Sequence, residues 1–463
     1  MKKRLLVLVV LVLCLSGCRP GGNKTDAPTP TENAATPTDT PTPTVNPYVE
    51  APVYSMDELR TKTEVVFPDF ATQTSSRPLL ILLMDYKNSE YEYDETTEKK
   101  WSDYVFGTGT VADGTASVND YFREISGGKC FFTPILLGDN TTGVYTFHMD
   151  KDYSDKQFVH PEYPFFDFSY DVAQCMSQLE KQGLKIDDFA CSDINGKNFF
   201  DILIDAWDYA PNERVKEYYT GPTLMVVFPT INMESVDFTP ICNTFDKFCL
   251  YAHLNETSSY GTICHELTHL FGAHDIYQYG GFYNDLMSQG IHTREEDPYN
   301  VTHVNPYYNL MYGWCDATMY AGKGSYRLYS ASTGKYSPLL IPTEDPNQYF
   351  LIEARDAEGF DAALAEPVTT WNREKVAWAA GRRDRVGVTI WRIDQSPMNV
   401  RRSPDTELRA GALMENILKE GEKVELMYYS NFEDPTDPSL KRSDFKITVT
   451  KDNGDGSWDI EIN

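Results

Sequence analysis

Positive charge is what this chain has least of: 41 Lys and Arg stand against 69 Asp and Glu, a formal net charge of −28 over 463 residues. Such a chain repels a phosphate backbone, which argues against nucleic acid as a partner. The acidity suits solubility outside the cell and leaves room for calcium. Close cysteine pairs are missing too. None of the 9 cysteines stands in a CxxC pair, so nothing suggests a zinc knuckle. Internal repeats of fixed period are absent. Histidine is scarce at 8 residues, and chance alone would place an HExxH in about one such chain in a hundred.

Apolar material is ample, with 41% hydrophobic and 13% aromatic residues, enough for large cores in two or three domains. At the N-terminus Lys2, Lys3 and Arg4 precede Leu5 to Leu15, a run too short for a good membrane span but right for a signal-peptide core. Leu15-Ser16-Gly17-Cys18 resembles the bacterial lipobox, which implies cleavage before Cys18 and lipid on its sulfur. The alternative is an ordinary signal peptide with Cys18 incidental. Lipidation implies a bacterial cell-surface protein held to the outer face of a membrane by acyl chains. Residues 18–52 are rich in Pro and Thr and read as an extended tether. Cys14 leaves with the signal. Of the remaining thiols, Cys242 and Cys249 could close a small loop, or all could be buried and free.

The chain is organised around Thr262 to Asp275, TICHELTHLFGAHD. On a helix His265 and His269 share one face and can reach one ion, with Glu266 on the same side. A straight helix would carry residue 275 about 9 Å beyond His269. Gly272 can end the helix and turn the chain back, which makes His274 and Asp275 both candidate third ligands. The bland alternative is a set of core or surface histidines at helical spacing by chance.

Around that stretch, Leu79 to Met84 reads as a fully buried strand. Ser117 caps a helix stopped by Gly127-Gly128, and Asp167 to Gln182 forms another helix ending at Gly183. Cys191 to Asp201 offers Asp193, Asn195 and Asp201 as oxygen ligands for Ca2+, or else forms an Asx-rich turn. Val304 to Trp314 reads as a short helix closed by Gly313. From Tyr326 onward the runs are short and mostly β-type, ending in a hairpin in which Phe445, Ile447 and Val449 alternate against Trp458, Ile460 and Ile462 around DNGDG.

The order SVNDYFREISGGK, HELTHLFGAHDIY, NDLMSQG, NPYYNLMYGW, QYFLIEAR, GVTIWRID is similar to secreted bacterial zinc metallopeptidases of the immune inhibitor A type, over roughly Leu79 to Asp394. The resemblance implies an α+β fold: a metzincin-like zinc-peptidase domain, a mixed sheet with an active-site helix, followed by a β-rich region. It implies Zn2+ held by His265, His269 and Asp275, with Met287 in a turn beneath the site. The chain departs from the family at Gln278, at Arg392 and over Tyr209 to Asp237. The resulting division is signal peptide 1–17, linker 18–52, catalytic domain 53–322 and β-rich domain 323–463.

The expected activity is hydrolysis of protein or peptide substrates by a zinc-activated water, with Glu266 as general base, in a protein taken as a monomer. Two other functions compete. One is a surface adhesin that keeps the scaffold for shape, against which the intact Glu266 speaks. The other is a zinc hydrolase of a non-protein substrate such as a peptidoglycan crosslink.

Overall fold

The run SRPLLILLMDY is buried over Leu79–Met84 on both faces, and it forms strand β2 (Ser76–Tyr86) of a mostly parallel sheet. The computed structural model describes residues 46–67, 72–87, 93–152, 169–185, 188, 224–228, 241–242, 251–256, 258–273, 275–276, 284–288, 290, 298–299, 301–365, 385–395, 411–429 and 440–463. The fold is mixed α+β.

Strand β2 is long enough to serve two partners along one side. Ser76–Leu79 pair in parallel with β3 (Phe131–Pro134), and Ile81–Tyr86 with β4 (Val144–Met149). On its other side lie β5 (Leu224–Phe228) and then β7 (Tyr251–Asn255), both parallel, with β6 (Ile241–Cys242) antiparallel at the edge. Parallel pairs need crossovers. Helix α1 (Met56–Lys62) precedes β2, α2 (Glu95–Phe106) and α3 (Val118–Ile125) lie between β2 and β3, and α4 (Ser169–Lys181) between β4 and β5. Ser117 caps α3 in a reciprocal pair with Asp120, and Gly127 and Gly128 end it at φ 60° and 80°. Helix α5 (Tyr260–His269) follows β7 directly, and α6 (Pro306–Met311) starts at the Asn305 cap.

A second sheet runs β1 (Val53–Tyr54), β8 (Ala317–Met319), β10 (Leu339–Pro342), β11 (Gln348–Arg355), β12 (Gly387–Asp394), β13 (Gly411–Leu418). A third runs β14 (Lys423–Tyr429), β15 (Leu440–Asp452), β16 (Ser457–Ile462), β9 (Gly324–Tyr329), and the β15–β16 hairpin has the expected alternation. Every residue of β11 is buried, because the strand serves two cores. Tyr349 and Leu351 face the core that contains α5, while Phe350, Ile352 and Ala354 face the third sheet.

Pro47–Asn463 clusters as one compact unit, across the boundary expected at 322/323. Within the segment read as a tether, the Val49 amide donates to Ser325, Tyr48 bonds Asp459 and β1 pairs with β8. Cys130, Cys175, Cys264 and Cys315 are buried free thiols. Residues 1–17, Cys18, Cys191 and Cys249 lie outside the described residues. Among those described, no helix is long and apolar enough to cross a membrane.

Candidate metal centre

Ser259 opens α5, its hydroxyl accepting the Thr262 amide at 3.1 Å. All of the helix is buried except Thr262. At the far end the amides of Leu270, Phe271 and Gly272 donate three residues back, to Leu267, Thr268 and His269. Gly272 then takes φ 90°, a conformation that costs other residues strain, and the chain turns back towards the helix end.

The turn delivers Asp275. Its Oδ1 lies 3.0 Å from His265 Nε2 and 3.3 Å from His269 Nε2, and the two Nε2 atoms are 3.1 Å apart. Each imidazole presents its other nitrogen to a backbone carbonyl, His265 Nδ1 to Leu286 at 2.9 Å and His269 Nδ1 to Ala273 at 2.7 Å. Carbonyls only accept, so each Nδ1 carries a proton and both Nε2 atoms turn inward, where a deprotonated Nε2 offers a lone pair. Three ligand atoms therefore converge. Asp275 Oδ1 is buried and faces the two imidazoles alone, so its charge is costly unless a proton or a cation offsets it. Among the described residues, these three are the group of His, Cys, Asp or Glu side chains close enough to share an ion.

The electrostatics agree. Burial pushes the His269 imidazole down, but the Asp275 charge, helped by Glu266 and the Ala273 carbonyl, outweighs it and holds the group at about 10. Against its own burial, Asp275 is held well below the usual carboxylate range by the two imidazoles. In the metal-free chain a proton on His269 thus supplies the missing positive charge. Glu266 is buried beside His265.

The turn Asn284–Ser288 packs into the same core as α5, with Met287 fully buried there. Two successive carbonyls of this turn hold the site: Leu286 accepts from His265, and Met287 accepts from the Ile276 amide next to Asp275 at 2.8 Å. Asp285 braces the turn, with Oδ1 accepting the Asn305 amide at 3.0 Å and Oδ2 its side-chain amide at 2.9 Å. Burial pushes the Asp285 carboxyl up to about 6 despite these donors.

Sequence reasoning missed Leu286, Asp285 and Asn305 as supports. Only Asn305, a cap residue followed by Pro306, carries a local signal. His274, Asp193, Asn195 and Asp201 lie outside the described residues.

No protein-family model matches the chain, and no curated protein matches it. Among solved structures, the crystal structure of wild-type OgpA from Akkermansia muciniphila is similar at 10% identity, covering 82% of this chain and 95% of that one, with a TM-score of 0.26. A likeness that slight decides neither fold nor chemistry.

Proposed function

We propose that the chain is a zinc metallopeptidase whose ion is held by His265, His269 and Asp275. The observation that carries this reading is the convergence of His265 Nε2, His269 Nε2 and the buried Asp275 Oδ1 beside a buried Glu266. Nitrogen and oxygen donors about 2.0–2.1 Å from a tetrahedral zinc lie about 3.3 Å apart. The observed separations of 3.0, 3.1 and 3.3 Å fit that spacing. Two imidazoles in a set of three disfavour calcium and magnesium at this position.

When bound, zinc supplies a Lewis acid that acidifies water and polarises a carbonyl oxygen. The chain does the rest. His265 and His269 keep their Nε2 lone pairs inward because Leu286 and Ala273 hold their Nδ1 protons. Glu266 takes the proton of the attacking water and passes it to the leaving amine. The resemblance of the motifs to immune inhibitor A type enzymes favours protein over other substrates. Under the same proposal Cys18 carries the lipid that anchors the enzyme outside the cell.

Casein cleavage and zinc content test this together. Cleavage should be lost with a chelator and in Glu266→Gln, which retains zinc, while Asp275→Ala loses zinc and His274→Ala keeps it. Cleavage that persists in Glu266→Gln sinks the peptidase mechanism, and zinc loss in His274→Ala alone reassigns the third ligand.

A further inference from the structure

The buried arginine of β11 reaches the metal centre through the backbone. Arg355 is 2% exposed and lies on the face of β11 that carries Tyr349 and Leu351, towards the α5 core. Its Nε and Nη2 donate to the two oxygens of Asp361 at 2.7 and 2.6 Å, a bidentate pair that fixes the guanidinium plane. Nη1 donates to Glu353 at 3.2 Å and to the Asn284 carbonyl at 3.0 Å. That last bond enters the turn whose Leu286 carbonyl holds His265. The same Asp361 accepts the His303 amide at 2.9 Å, and the His303 carbonyl accepts the Leu286 amide at 3.1 Å. Both sides of the Asn284–Leu286 segment therefore hang from one carboxylate.

We infer that Arg355, held by Asp361, is a positioning residue for the metal centre, setting the Leu286 carbonyl that orients His265. The inference rests on the proposed metal site. A buried ion pair serving the core alone needs no bond to Asn284, and that bond is what a lysine cannot reproduce. Lysine keeps the charge but has no planar fork to serve Asp361 and a carbonyl at once.

The test uses the full chain with zinc as probe. Zinc affinity is measured by competition with a chelator, alongside the absorption spectrum of the cobalt(II) form and the thermal midpoint. Arg355→Lys should bind zinc about 3- to 10-fold more weakly, short of the about 10- to 100-fold usual for loss of a group bonded directly to a ligand, with altered cobalt bands. Arg327→Lys is the control, because its pair with Asp459 joins β9 to β16. It should leave affinity and spectrum unchanged whatever its thermal midpoint. Folded Arg355→Lys with wild-type affinity and spectrum overturns the inference and leaves the metal reading standing. Wild-type protein without a zinc equivalent that His265→Ala removes sinks both. Should Arg355→Lys not fold, Asp361→Asn decides: at least threefold weaker binding supports the inference, while unchanged binding, or failure of both variants to fold, overturns it.

Discussion

Leu286 holds His265 by one hydrogen bond, 2.9 Å from imidazole Nδ1 to backbone carbonyl, across 21 residues of sequence. The geometry of the metal centre is therefore only as good as that of the turn. Gly290 closes it, donating to the Asp285 carbonyl at 2.9 Å. A Cβ on Gly290 would stand 2.3 Å from Thr302 Oγ1 and 2.4 Å from that carbonyl oxygen, so the backbone would have to shift. Gly290→Ala should cost about 1–3 kcal/mol and weaken zinc binding as well. Thermal unfolding of the metal-free protein and chelator competition measure the two effects. Unchanged zinc affinity would show that the site does not depend on the turn.

The N-terminal arm from Tyr48 to Tyr54 is predicted to be structural. Tyr48 donates to Asp459 at 2.9 Å, Val49 bonds Ser325 and β1 pairs with β8. Removal of residues 1–54 should lower the thermal midpoint by several degrees more than removal of residues 1–45 does. Equal midpoints would return residues 47–54 to the tether.

What was legible in the sequence was local. The His265/His269 spacing and the Gly272 break act within one helix and its exit, and they narrow the third ligand to His274 or Asp275 without knowledge of the rest; the resemblance chose Asp275. The alternation in β15 and β16 is local as well. The double burial of β11 was not legible, because an apolar run does not reveal that alternate residues serve different cores. Glu353 and Arg355 in that strand read equally well as a solvated face. Their burial depends on partners as distant in sequence as Asn284 and Trp391, whose Nε1 donates to Glu353 at 2.9 Å. Likewise only the resemblance singled out NDLMSQG and its Met287; nothing local in it shows that the carbonyls of Leu286 and Met287 are taken.

Asp285 makes stability depend on pH. Burial raises its carboxyl from 3.8 to about 6 in the folded chain, so the native state binds the proton more tightly than the unfolded one. The stability linked to that proton is complete below about pH 4 and is lost as pH rises through about 6, a change of about 3 kcal/mol. Metal-free wild type should therefore lose more stability between pH 5 and 7 than Asp285→Asn, compared by urea denaturation. Parallel curves for the two proteins would place the ionisation elsewhere.

Metal binding should expel a proton. In the metal-free chain His269 stays protonated up to about pH 10, because Asp275 and Glu266 outweigh its burial. A ligand imidazole must be neutral, so a cation entering at pH 7.5 takes the place of that proton. Calorimetric titration with zinc in two buffers of different ionisation enthalpy should give about one proton released per ion. By the same linkage, apparent affinity should rise about tenfold per pH unit between 7 and 8, after correction for zinc hydrolysis. The raised group also ties stability to the metal-free state: its contribution is full below about pH 6.5 and fades as pH climbs through about 10. Zinc that binds with no proton release would mean that His269 is already neutral, and that the positive charge balancing Asp275 in the empty site comes from another group.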